Sequence, residues 1–147
     1  MIRAVICDDE TASLAIIKYL IESEGLPIQI VGTALNGQSA LELIRREEPD
    51  LAFMDIQLPK LNGFEVIDGL GRTKVKIIII TVHNTFAYAQ KALRLGACDI
   101  ITKPIGISQL REAIVRAVGW NYTDNETLNQ ALRYMYLHYA ENINLNS

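Results

Sequence analysis

The run Lys76-Ile77-Ile78-Ile79-Ile80-Thr81-Val82 constrains the fold more than any other stretch. Four consecutive isoleucines leave a strand no polar face, so a strand over 76–82 must be covered on both sides. The run is far too short to span a bilayer. Four other short apolar runs, at 2–7, 28–33, 51–54 and 98–102, also read as strands. Helical patterns lie between them. Residues 11–24 place Leu14, Ile17 and Ile21 on one face and stop at Gly25 and Pro27. Residues 39–48 turn Leu43 and Ile44 inward after an Asn36-Gly37 turn, and Pro49 ends them. A third helix is expected over 64–70, ending near Gly69 and Gly71. A fourth spans 85–95, with Phe86, Ala89 and Leu93 on its inner face and Gly96 as its stop. The last spans 108–118, capped by Ser108, with Leu110, Ile114 and Val118 inward. Five strands alternating with five helices predict an α/β fold with a parallel sheet and right-handed crossovers.

The 147 residues suit one domain with a short extension. The net charge of -3 gives these residues no general affinity for nucleic acid or anionic membrane. Asp8-Asp9-Glu10 interrupts the opening apolar run and breaks a signal-peptide pattern, so a cytoplasmic protein with no membrane partner is expected. Cys7 and Cys98 have no ligand spacing around them and read as two buried, reduced thiols.

In an open parallel sheet, chemistry collects beyond the carboxyl ends of the strands. The first strand ends in Asp8-Asp9, the third in Asp55, the fourth in Thr81 and the fifth in Lys103-Pro104. Each has an ordinary explanation on its own. An aspartate after a strand commonly caps a helix, a threonine commonly forms strand, and a lysine before proline is commonly a surface residue. Together they bring three carboxylates, a hydroxyl and an ammonium to one edge. The carboxylates repel one another, and Mg2+ suits such a set of oxygen ligands. A carboxylate there can attack phosphorus to give an aspartyl phosphate, with the metal and Lys103 neutralising the transferring group.

The segments Ile6-Cys7-Asp8-Asp9-Glu10, Met54-Asp55-Ile56-Gln57-Leu58-Pro59, Asn62-Gly63, Thr81, Gly96-Ala97 and Thr102-Lys103-Pro104 resemble the response-regulator receiver family in order and spacing, over residues 1–119. The resemblance implies a flavodoxin-like, doubly wound (βα)5 sheet with strand order 2-1-3-4-5. It implies that Asp55 takes a phosphoryl group from a sensor histidine kinase in a Mg2+-dependent reaction. Asp9 and Asp55 would bind Mg2+, Asp8 would act mainly through water, and Gln57 would offer its backbone carbonyl. Lys103 would contact the phosphoryl group, Thr81 would be the switch hydroxyl, and the Lys103–Pro104 bond would be cis. Val82, His83 and Ile100 depart from or vary the family pattern. Val82 is bulkier than the usual small residue and is expected to narrow the approach to Asp55. His83 reads either as an exposed loop imidazole or as a group shaping water access. Ile100 replaces a common aromatic switch residue. Asn62 stands for a common aspartate.

After Gly119 the composition shifts. Residues 120–125 are polar, and 126–141 carry Leu128, Ala131, Leu132, Met135 and Tyr139 on one helical face. This C-terminal segment, 120–147, resembles the start of an AraC-type DNA-binding domain, cut short. The alternative is an added amphipathic helix. DNA contact would then belong only to a missing C-terminal domain, and homodimerisation would use the fourth helix, fifth strand and fifth helix. The reading is a switch rather than an enzyme. A hydrolase or phosphatase with an aspartyl-phosphate intermediate is the rival, but such enzymes usually place an acid where Gln57 stands. A flavin carrier is disfavoured because no phosphate-cradling loop follows the first strand.

Overall fold

The computed structural model describes residues 1–83 and 85–119. Strands and helices alternate as β1 (Ile2–Cys7), α1 (Thr11–Ser23), β2 (Ile28–Ala34), α2 (Gly37–Glu47), β3 (Leu51–Met54), α3 (Gly63–Leu70), β4 (Lys76–Thr81), α4 (Phe86–Arg94), β5 (Asp99–Thr102) and α5 (Ile107–Val118). The strands form one parallel sheet in the order β2-β1-β3-β4-β5, as the family resemblance implied. The linker and helix expected over 120–147 lie outside the described residues.

The isoleucine run explains the layering. Successive strand residues face opposite sides. Ile78 and Ile80 join a core with Ile2, Phe53 and the inner faces of α1 and α5. Ile77 and Ile79 join the opposite core with Val5, Met54 and the inner faces of α2 and α3. Burial of each isoleucine side chain is worth roughly 1.5–3 kcal/mol, so β4 is firmly anchored in both layers. On α1, Leu14, Ile17 and Ile21 are buried, and on α5 Leu110, Ile114 and Val118 are buried, as their spacing predicts.

Helix α4 departs from its expected face. Phe86 is 83% exposed and Leu93 57% exposed, while Ala92 is the buried residue, with Tyr88 and Ala89 half-buried. A short helix with apolar residues on two sides gives periodicity two solutions, and the sheet accepts the one with the smallest side chain. Its start was legible. Thr85 Oγ1 accepts a hydrogen bond from Tyr88 N at 3.3 Å, capping the helix.

Helix ends differ elsewhere for local reasons. Asn36 Oδ1 accepts from Ser39 N at 2.8 Å, so α2 begins at Gly37, inside the expected turn. Ser108 does not cap α5; Gly106 holds the cap position and the helix starts at Ile107. Cys98 lies just outside β5 and is half-buried, so only Cys7 is the buried thiol expected of both. The Lys103–Pro104 bond is cis, as expected.

Candidate functional site

Parallel register aligns the carboxyl ends of the inner strands. Cys7 pairs with Met54, Met54 with Ile79, and Thr81 with Thr102. Backbone bonding continues one residue past the strands, with Asp8 N donating to Ala34 O, Asp55 N to Cys7 O and Lys103 N to Thr81 O at 2.9–3.0 Å. The residues that follow β1, β3 and β5 are therefore held by the same ladder as the strands. Three side chains meet there.

Lys103 Nζ donates to Asp8 Oδ2 at 2.7 Å and to Asp55 Oδ2 at 2.8 Å. Glu10 Oε1 lies 3.8 Å from the same ammonium. The other oxygens are also engaged. Asp8 Oδ1 accepts from Glu10 N at 2.9 Å, and Asp55 Oδ1 accepts from Gln57 N at 3.1 Å. Asp8 and Asp55 are 2% and 5% exposed. Burial pushes the Asp8 carboxyl above its ordinary value, against the lowering effects of Lys103 and the Glu10 N–H. Burial alone would pull the Lys103 ammonium down, but hydrogen bonds and charge from Asp55 and Asp8 outweigh it, and its net shift is upward. The ammonium therefore stays charged between two carboxylates.

One cation does not balance this many acids. One oxygen from each of Asp8, Asp9, Glu10 and Asp55 lies within 4.8 Å of the others, with Asp9 and Glu10 exposed. This set of anionic oxygens with an open side fits a hard divalent cation such as Mg2+, which keeps several waters. Glu10 was not foreseen as a member. Its place two residues beyond Asp8, at the N-cap of α1, is the signal that could have found it. His83 is exposed and does not belong to this group.

Thr81 is fully buried, and its Oγ1 accepts from His83 N at 3.2 Å. Val82 is 59% exposed, at the mouth beside Thr81. Ile100 is half-buried and packs against the core on the α2, α3 and α4 side. Gln57 and Asp9 line a hollow next to the carboxylates. Asn62 caps α3 in a reciprocal pair with Glu65, Asn62 Oδ1 accepting from Glu65 N at 2.9 Å and Glu65 Oε1 accepting from Asn62 N at 3.1 Å.

The chain that forms this sheet matches the response regulator receiver domain family over residues 4–115. The chain belongs to that family. It is 29% identical over 118 residues to the transcriptional regulatory protein HptR of Staphylococcus aureus, covering 80% of this chain and 47% of HptR. It is also 29% identical over 137 residues to a protein-glutamate methylesterase/protein-glutamine glutaminase of Clostridium acetobutylicum, covering 88% of this chain and 39% of that one. Among solved structures, the receiver (REC) domain of AraT, a response regulator from Geobacillus stearothermophilus, superposes with a TM-score of 0.71 at 30% identity, covering 79% of this chain and 92% of that one. The chain spans 39–53% of the length of the first curated relatives it matches. Its relatives thus include a transcriptional regulatory protein and an enzyme. No helix among the described residues is long and apolar enough to cross a membrane.

Proposed function

We propose that this chain is a phosphorylation switch in which Asp55 accepts a phosphoryl group from the phosphohistidine of a sensor histidine kinase. The observation that carries this reading is the Lys103 ammonium within 2.8 Å of both Asp8 and Asp55. The ammonium pairs with the buried Asp55 carboxyl and offers its charge to an incoming phosphoryl oxygen. Asp9 and Asp55 would hold Mg2+ directly, Gln57 through its backbone carbonyl, and Asp8 through water. Bound there, the cation would neutralise charge on the transferring group. An oxygen of Asp55 attacks phosphorus and the donor's bond to phosphorus breaks, its electron pair leaving with the donor. Thr81 Oγ1 would donate its hydroxyl proton to a phosphoryl oxygen while still accepting from His83 N, so movement of Thr81 toward the phosphoryl group would draw His83 with it. That movement would shift the loop leading into α4. Val82 and His83, exposed beside Thr81, would modulate access to Asp55.

The chain would act in the cytoplasm as the regulatory part of a transcription regulator and not as an enzyme. Residues 1–119 would form the receiver and 120–147 the linker and start of an AraC-type DNA-binding domain, which would supply any DNA contact. The exposed Phe86 and Leu93 on α4 support homodimerisation through α4, β5 and α5. Steady-state release of inorganic phosphate from an acyl phosphate, with Mg2+ present, tests the switch against the phosphatase alternative. A switch gives release no faster than the slow decay of the labelled chain. Multiple rapid turnovers per chain would favour the phosphatase.

A further inference from the structure

Beside the carboxylates lies a hollow of about 500 Å3 lined by Asp9, Gln57, Asn62, Phe64, Tyr88 and Lys91, among others. Two of its walls are aromatic. Phe64 from α3 and Tyr88 from α4 stack with centroids 5.6 Å apart and planes inclined at 22°. Lys91 Nζ sits 4.8 Å from the Phe64 centroid, and the His83 ring lies 6.3 Å from that of Tyr88. Phe64 is buried, so core packing accounts for it. Tyr88 is only half-buried: its ring packs partly against the core and partly lines the hollow. Nothing in transfer to Asp55 itself calls for an aromatic surface next to Asp9 and Gln57.

We propose that the Tyr88 ring, backed by Phe64, seats the leaving group of the phosphoryl donor and selects a planar N-phosphorylated imidazole over a ring-free acyl phosphate. The inference rests on the proposed role of Asp55. In the step it describes, the N–P bond breaks as the bond between an Asp55 oxygen and phosphorus forms. The electron pair returns to the ring nitrogen. The ring's second nitrogen already carries a proton taken from solvent, so neutral imidazole departs. A flat ring stacks on an aromatic face, and the protonated donor ring gains further from the π face of tyrosine. An acetyl group has neither a ring nor a cationic charge, so it draws nothing comparable from the seat. Tyr88 is thus a positioning residue that acts on the donor, while Asp9, Asp55 and Lys103 handle the phosphoryl group.

The test compares labelling rates of the 147-residue chain with N-phosphoimidazole and with acetyl phosphate, each with Mg2+, followed by intact mass. The readout is the ratio of the two rates, which cancels any general disturbance of the Asp55 site. Tyr88→Leu is expected to lower the ratio about tenfold, and Tyr88→Phe to keep it near the wild-type value. A ratio unchanged in Tyr88→Leu overturns the proposal, whether both rates hold or both fall together. An equal drop in Tyr88→Phe also overturns it, since the hydroxyl and not the ring would then be the selective group. A wild-type chain labelled by neither donor would remove the Asp55 reading itself, a result distinct from either.

Discussion

The carbonyl oxygen of Asp55 stands 2.6 Å from where a Cβ on Gly63 would lie, and the Cα of Ile56 stands 2.9 Å from it. Gly63 N donates to Ile56 O at 2.7 Å, drawing the first residue of α3 against the loop that carries Asp55. The glycine is required by close approach of two backbones, neither of which can yield as a side-chain tip would. Gly63→Ala is expected to lower unfolding stability by about 1–3 kcal/mol, the usual cost of overpacking. It should also slow labelling of Asp55. Urea denaturation with the midpoint unchanged from wild type would contradict the packing argument.

The Lys103 bridge makes a second prediction. Removing the ammonium leaves two buried carboxylates facing each other without their cation. Lys103→Met should therefore lose on the order of 3 kcal/mol of stability in metal-free buffer. Added Mg2+ should raise the melting temperature of the variant by more than that of wild type, because the metal would replace the missing charge. Thermal melts with and without Mg2+ decide this. An equal Mg2+ effect on the two chains would show that the acids and the lysine do not share one electrostatic balance.

How much of this was legible beforehand depended on how strictly each residue was constrained. The central strands were readable because Ile77 to Ile80 permit only a doubly covered strand, and the structure divides them between two cores. The meeting of Asp8, Asp55 and Lys103 was readable because strand ends in a parallel sheet converge, so it needed no contact information. The face of α4 was not readable. Phe86, Ala89 and Leu93 make a plausible apolar stripe, yet Ala92 occupies the core and Phe86 and Leu93 face outward. The ion pair of buried Arg111 with Glu24, at 2.7 Å, was likewise hidden, since an arginine in an amphipathic helix normally reads as surface. Pairings between residues 87 positions apart carry no local signature.

Cys7 supplies a pH prediction. Burial, with a smaller contribution from the Asp8 charge, pushes its thiol from 9.0 up to about 12. Between those values the unfolded thiol loses its proton while the folded one keeps it, so the folded state binds more protons. Stability contributed by Cys7 is full below about pH 9 and is lost as pH rises toward 12. The stability advantage of wild type over Cys7→Ala should shrink by about 1.4 kcal/mol per pH unit in that window. Denaturant titrations of both chains on either side of pH 9 check it. A constant difference would mean that the thiol ionises equally in both states.

The central claim is that Asp55, held by Lys103 and flanked by Asp8 and Asp9, is the residue that takes a phosphoryl group. Intact-mass analysis after incubation with a small phosphodonor and Mg2+ tests it most directly, on wild type and Asp55→Asn side by side. Wild type should gain the mass of one phosphoryl group, and should fail to do so when Mg2+ is chelated. Asp55→Asn should show no gain under either condition. The same one-phosphoryl gain in Asp55→Asn would contradict the assignment, and with it the switch built on that carboxylate.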